Sequence, residues 1–105
     1  MATLEVVEGW TSPLDYTLTA DGVAVDLTNC TPLLQLWDAA GALVTLGGTS
    51  ALITAASGTV RFTPSSTDLL NASSPYTARW KVTDAAAKVS YFPNGSPDLI
   101  VVYKP

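Results

Sequence analysis

The chain has 105 residues, which is enough for one domain with one hydrophobic core, and we expect a single domain over residues 1–105. Only 13% of the residues are charged, against about 25% in a typical soluble domain, and the net charge is −4. Five basic residues that form no run argue against nucleic acid and anionic membranes, so we expect neither as a partner.

Threonine, serine and alanine take the place of charged residues in this composition. Surface charge normally keeps proteins apart, so a weakly charged surface is poorly protected against association. Two interpretations remain open. The chain is either a mildly acidic domain made polar by hydroxyl groups, or a domain whose surface is partly covered by partners; we favour the second.

Apolar and polar side chains alternate along much of the chain, as half-buried antiparallel strands require. Residues 14–20 alternate strictly, and Asp21-Gly22 after them predicts a tight hairpin turn. The same alternation returns at residues 60–63. Further turn signals divide the chain at short intervals, which is typical of sandwiches and barrels. We expect strands at residues 3–7, 13–20, 23–28, 32–38, 42–46, 50–54, 59–63, 75–83, 88–92 and 98–103.

The clearest strand covers residues 76–83, where Tyr76 and Trp80 share one face and Arg79 and Lys81 the other. A short helical turn is expected just before it, at residues 65–70. Tyr76 is a candidate tyrosine-corner residue, with its hydroxyl bonded to backbone a few residues upstream. The strand pattern therefore predicts an all-β antiparallel sandwich of about seven to nine strands. Its expected core is Leu14 or Tyr16, Leu18, Leu36, Val60, Phe62, Tyr76, Trp80, Val82, Val89 and Val101.

Two segments break the alternation because they carry large apolar side chains on both faces. Leu33, Leu34, Leu36 and Trp37 form one segment, and residues 99–103 form the other. Such a strand is either covered on both sides within the fold or exposed on one side to a partner. Loops folding over the second face, or Trp37 lying in the core, are equally open explanations.

The sequence contains no arrangement of residues that indicates enzyme chemistry. There is no histidine, so the commonest general base and metal ligand are absent. We interpret the single cysteine, Cys30, as a structural thiol, and we expect the protein to be made in a reducing cytoplasm. The nine acidic residues fall mostly in turns and show no calcium-binding loop or paired-carboxylate context. We expect no catalytic residue, no metal and no cofactor.

Sugar binding is a second functional possibility, since exposed aromatic rings can stack on flat ligands. Trp10 lies beside Gly9 in an early loop and is the best exposed candidate. Trp80 alternates inward and is expected in the core.

Several segments carry a family resemblance, and they stand at residues 9–10, 14–18, 21–28 (DGVAVDLT), 34–38 (LQLWD), 57–60, 67–76, 79–83 (RWKVT), 92–94 (FPN) and 98–103. Together they resemble small immunoglobulin-like virion domains of tailed bacteriophages, similar to the N-terminal domain of phage baseplate upper proteins. The resemblance implies that the sandwich is immunoglobulin-like. Alanines at residues 39–40 and 85–87 depart from the Asp-Gly turns of that pattern.

The resemblance implies a non-enzymatic structural protein of the virion, made in the host bacterial cytoplasm, that binds other virion proteins and forms a homo-oligomer within the particle. A tail or baseplate part and a head–tail accessory are the main expectations. A capsid decoration protein and a carbohydrate-recognition module for host attachment are the alternatives. The expected partner contacts are Trp10, Leu33, Trp37, Ile100 and Val102.

Overall fold

The computed structural model describes residues 3–93 and 97–105, so Asn94 of the FPN segment lies outside the described residues. The fold is all-β, with ten strands in the described ranges. They are β1 (Thr3–Val7), β2 (Leu14–Thr17), β3 (Thr19–Ala20), β4 (Val23–Ala24), β5 (Thr31–Trp37), β6 (Thr49–Thr54), β7 (Thr59–Thr63), β8 (Tyr76–Thr83), β9 (Val89–Phe92) and β10 (Asp98–Tyr103). Two single 3-10 turns, Ala55–Ser57 and Asn71–Ser73, complete the regular structure.

The strands form two larger sheets and one hairpin. The first sheet has the order β1-β10-β8-β5, and β9 also pairs with β8. The second has the order β2-β7-β6, and β3 with β4 makes a two-stranded hairpin. β1 runs parallel to β10, while the other strand pairs are antiparallel. Buried residues from both larger sheets belong to one core, which is compatible with a β-sandwich.

Strand β8 organises the core as its sequence predicts. Its eight residues alternate between buried and half-buried, and Tyr76 and Trp80 are each only 1% exposed. β8 lies between β5 on one edge and β9 with β10 on the other. Leu14 and Phe62 reach the same core from the second sheet, where they pair across β2 and β7. The hydrophobic side chains of the two sheets are thus buried from water in a shared core.

The Asp21-Gly22 turn joins β3 to β4 as predicted. Both residues have positive φ, 53° and 78°, which is the backbone of the two-residue hairpin turn that follows the twist of its strands. The segment at 42–46 differs from expectation, because it forms no strand and makes only an isolated antiparallel bridge between Leu43 and Trp37. The expected helical turn at 65–70 is a hydrogen-bonded turn from Ser65 to Asp68, and the 3-10 turn follows it.

The buried carboxylate of Asp68 explains the conformation of this region. It is 2% exposed and accepts backbone hydrogen bonds from Gly47 (2.7 Å), Gly48 (2.8 Å) and Ser65 (2.8 Å). A Cβ at Gly48 would overlap the Thr63 carbonyl oxygen, so only glycine permits this close approach. Asp68 therefore links the hydrogen-bonded turn at residues 65–68 to the segment that leads into β6.

The last strand presents the opposite face to the core from the one expected. Val101 is only half-buried, whereas Ile100 and Val102 are 0% and 2% exposed. The expectation that Val101 lies in the core is wrong, because pairing with β1 sets the register and turns Ile100 and Val102 inward with Leu4 and Val6.

Val89 was also expected in the core, and that expectation is wrong as well. It begins β9 opposite Thr83, on the outward side of the sheet, and is 46% exposed. The remaining core expectations are confirmed: Leu14, Leu18, Leu36, Val60, Phe62, Tyr76, Trp80 and Val82 are buried, and Tyr16 is half-buried against them. Within the described ranges, no helix is long and apolar enough to cross a membrane.

Candidate functional site

The outward side of the first sheet collects exposed apolar side chains. We call this surface the outer face; its outward residues are Thr3, Glu5 and Val7 from β1, Thr31, Leu33, Gln35 and Trp37 from β5, Thr77, Arg79, Lys81 and Thr83 from β8, Val89 and Tyr91 from β9, and Leu99, Val101 and Tyr103 from β10. Five of the nine large hydrophobic residues exposed in the described structure belong to it. Monomeric proteins seldom gather apolar side chains in this way without a use for them.

Two cross-strand rows give the outer face its shape. In the first, Leu33 on β5 lies opposite Lys81 on β8, which lies opposite Tyr91 on β9. Leu33 is 50% exposed and Tyr91 is 42% exposed, so the Lys81 stem passes between two open apolar side chains. In the second row, Trp37 lies opposite Thr77, which lies opposite Leu99.

The outer face carries two cations, Arg79 and Lys81, and one acid, Glu5, although the whole chain has a net charge of −4. Arg79 and Lys81 point outward from the centre of the sheet, and the Arg79 guanidinium donates to the Pro93 carbonyl oxygen. The nearest acid, Glu5, accepts a hydrogen bond from the Tyr103 hydroxyl at 3.2 Å. This bond and the Glu5 charge raise the pKa of Tyr103 above its usual value. Arg79 and Lys81 are therefore the charged residues at the centre of the outer face.

The structure brings together only part of the expected contact set. Leu33 and Trp37 both lie on the outer face, four residues apart on β5. Trp10 is exposed (38%) but lies in the loop after β1. Ile100 and Val102 are buried, so the expectation that they contact a partner is wrong: the β1 pairing turns them into the core.

Several outer-face residues were missed by sequence reasoning as contact candidates. Arg79 and Lys81 were expected to point outward, but nothing in the chain order placed them beside Leu33. Tyr91 joins the row only because β9 folds back on β8. The signal that was readable in advance is the alternation of β8, which shows which of its side chains leave the core.

A second region combines buried polar atoms with cavities. Two cavities of about 310 and 150 Å³ share Tyr16 and Asp98 in their walls, and Trp80 lines the smaller one. Within residues 3–93 and 97–105, the Tyr16 hydroxyl and Trp80 Nε1 are buried without a hydrogen-bond partner. Burial and the nearby Asp98 charge raise the pKa of Tyr16 to about 12. Tyr16 therefore stays protonated at neutral pH, and its ring packs edge-on against Trp80 with centroids 5.6 Å apart.

Acidic side chains do not gather into a metal site in the described ranges, where no cluster of three or more metal-ligating side chains occurs. The ion pair between Arg61 and Asp15 lies on the second sheet, with both side chains exposed, at 2.7 Å. Comparison with protein-family models, curated proteins and solved structures finds no significant match to the chain.

Proposed function

We propose that the chain is an immunoglobulin-like domain that serves as a non-enzymatic structural protein of a tailed-bacteriophage virion and docks onto other virion proteins through its outer face. The observation that carries the docking proposal is the row Leu33, Lys81 and Tyr91: exposed apolar groups with a cation between them. Apolar contact supplies affinity, and the cations select the partner.

The strand order supports the immunoglobulin-like part of the proposal. The sequence of strands β2-β7-β6 corresponds to B-E-D of that fold, and β5-β8-β10 corresponds to C-F-G. Tyr76 opens β8, the F-strand equivalent, and its hydroxyl bonds to the backbone of Leu70. A hydroxyl bond of this kind at the start of strand F is the tyrosine corner.

Charge complementarity defines the partner surface. A second copy placed face to face would set Arg79 and Lys81 against the same cations, and like charges in a desolvated interface are costly. We therefore expect the outer face to meet a surface with apolar groups and carboxylates. A head-to-tail contact between copies satisfies this chemistry too, because acids such as Asp26 and Asp84 are exposed elsewhere on the chain. A homo-oligomer held together by such head-to-tail contacts remains a prediction.

Incorporation into particles tests the proposal. The chain is supplied in trans to infected host cells, and purified particles are assayed for it by mass spectrometry. Leu33→Asp and Lys81→Glu should be lost from particles, while Lys88→Glu should be retained, because Lys88 lies in the β8–β9 turn and makes the same charge change off the face. Immunogold labelling then separates tail or baseplate from a capsid decoration position.

The two halves of the proposal fail differently. If wild-type chain is missing from particles, the virion role is wrong. If wild-type chain is present and both outer-face variants enter particles at its level, the virion role stands and the docking face is wrong.

A carbohydrate-recognition module is the second candidate, and the exposure of Trp10 favours it. Loop residues with hydroxyl groups, Thr11 and Ser12, follow it directly. A glycan array comparing the wild-type chain with Trp10→Ala tests this candidate. Binding that disappears with the tryptophan ring supports it, and an array without signal contradicts it.

A further inference from the structure

Strand β9 has an open edge. β5 pairs with β8 along residues 77–83, so β9 and β10 must both lie on the other edge of β8. β1 covers the far side of β10 by parallel pairing. No strand in the part of the chain that the structure describes pairs with the far side of β9. Its backbone groups there are free to meet another chain.

The hydrogen bonds of the β8–β9 turn identify these backbone groups. Asp84 N–H donates to the Lys88 carbonyl oxygen at 2.9 Å, and Lys88 N–H donates to the Asp84 carboxylate at 2.9 Å, so the backbone groups of both residues point across the turn at a hydrogen-bonded position. Hydrogen-bonded and non-hydrogen-bonded pairs alternate in an antiparallel ladder. Ser90 therefore points its backbone groups at β8, whereas Val89 and Tyr91 point theirs at the open edge.

The outer edge of β5 is closed in a way that the edge of β9 is not. Val44 N–H donates to the Leu36 carbonyl oxygen at 2.8 Å, and the Ser50 hydroxyl accepts from Leu34 N–H at 3.0 Å. The chain thus occupies the β5 edge with its own loop and a side chain. The four residues of β9, VSYF, include no charge and no proline, the residues that usually protect an edge strand.

A groove runs along the open edge. It has a volume of about 560 Å³, with β9 and Pro93 on one wall and β3 with Asp21 on the other. Every residue of β3 is exposed, and so are the first three of β9. A groove walled on both sides admits a single extended chain more readily than the edge of a second folded domain.

We propose that β9 binds an extended segment of a partner protein by β-strand addition, with the backbone groups of Val89 and Tyr91 as its hydrogen-bonding partners. The four residues of the segment that pair with β9 are uncharged, free of proline and alternate in side-chain direction, and they span about 13 Å. This site is independent of the outer-face proposal, because its affinity comes from main-chain hydrogen bonds. It gives the domain a second kind of contact, with a flexible tail or linker of a neighbouring protein.

Amide exchange measured by NMR tests the proposal on the full chain. The probe is an acetylated peptide of alternating threonine and valine with a lysine at each end, added up to millimolar concentration. Its binding should slow exchange of the Val89 and Tyr91 amides by about tenfold or more at saturation, as expected for newly hydrogen-bonded groups. A peptide of the same length with a central proline should give no protection.

Two variants separate the edge from the outer face. Tyr91→Pro removes the edge N–H, and Tyr91→Thr removes the same aromatic ring but keeps the N–H. The threonine variant should still bind the peptide, and the proline variant should not, with near-wild-type spectra for residues outside β9 showing that both fold. Equal binding by the two variants would overturn the proposal.

Two further outcomes would also overturn it. Unchanged exchange of Val89 and Tyr91 at the highest peptide concentration would show that the edge takes no strand. Protection that rises with protein concentration in the absence of peptide, together with a doubled mass in light scattering, would assign the edge to a second copy of the chain instead.

Discussion

The Tyr76 hydroxyl lies 3.0 Å from the backbone nitrogen of Leu70 and 3.4 Å from its carbonyl oxygen, six residues upstream. The hydroxyl accepts a hydrogen bond from the Leu70 N–H and donates one to the Leu70 carbonyl oxygen. One buried phenol therefore satisfies both backbone groups of a residue in the segment that connects the two sheets. The bond to the upstream backbone was predicted from the position of Tyr76 at the start of its strand, and it is confirmed.

Replacement of Tyr76 by phenylalanine should lower the free energy of unfolding by about 1–3 kcal/mol, because both backbone groups of Leu70 lose their partner. Tyr16→Phe is the matched control: its hydroxyl is buried without a partner among the described residues, so we expect a change within about 0.5 kcal/mol. Urea denaturation followed by tryptophan fluorescence measures both. Equal losses for the two variants would contradict the prediction.

Asp68→Asn should destabilise the fold by on the order of 3 kcal/mol, because the carboxylate accepts from three backbone N–H groups and an amide offers a single acceptor oxygen. Asp21→Asn, in an exposed turn that suits asparagine, makes the same charge change and should have little effect. Denaturation at pH 7 tests the pair, and similar values for both variants would show that the bonds to Asp68 contribute little.

The pH dependence of the Asp68 contribution follows from its pKa. Burial by itself raises the pKa of this carboxyl, but the backbone hydrogen bonds from Ser65, Gly47 and Gly48 outweigh burial and hold the pKa below 3.8. The folded state thus binds fewer protons than the unfolded state near pH 4. The stabilisation is present above about pH 4 and is lost as pH falls through the folded-state pKa. The stability difference between wild type and Asp68→Asn should therefore shrink from pH 5 to pH 2, and a constant difference would contradict this.

Two turns of the same design differ in the residue that has positive φ. Asp38 accepts from the N–H groups of Ala40 and Ala42 at 3.0 Å, and Asp84 accepts from the equivalent residues of its turn at 2.9 Å. The residue three after each aspartate has positive φ: 86° at Gly41 and 65° at Ala87. The alanines at residues 39–40 and 85–87 are thus compatible with tight turns.

Ala87→Gly should stabilise the chain by about 0.5–1 kcal/mol, because glycine adopts this backbone without the steric cost of a Cβ. Gly41→Ala should destabilise it by about 1 kcal/mol for the same reason, and a Cβ at Gly41 meets no other atom, so only the backbone conformation is at issue. Thermal unfolding checks the opposite signs. Two changes of the same sign would mean that positive φ does not control these turns.

Alanine substitutions at two neighbouring positions test which side of β10 faces the core. Ile100→Ala removes a fully buried side chain and should cost about 2–5 kcal/mol, while Val101→Ala on the outer face should cost less than about 1 kcal/mol. Urea denaturation measures both variants. A larger loss at Val101 would reverse the assignment of the two faces.

Prediction from sequence succeeded where one residue pattern allowed one answer. β8 alternates without exception, so both faces of the strand that joins the first sheet were assigned correctly. It failed for residues 99–103, since five consecutive apolar residues contain no alternation to indicate which side is buried. Within the candidate site, Leu33 and Trp37 were predicted because their strand carries apolar residues on both faces, but Lys81 and Tyr91 became their neighbours only through strand pairing.

By itself, the sequence determined the class of the fold, most strand positions, the Asp21-Gly22 hairpin and the Tyr76 bond, because these depend on local alternation and on the backbone preferences of a few residues. Tertiary structure alone decided which side of β10 faces the core, the convergence of Gly47, Gly48 and Ser65 on Asp68, and the open edge of β9. Each of these depends on the register between segments far apart in the chain. A shift of one residue in that register exchanges the buried and exposed faces of a strand.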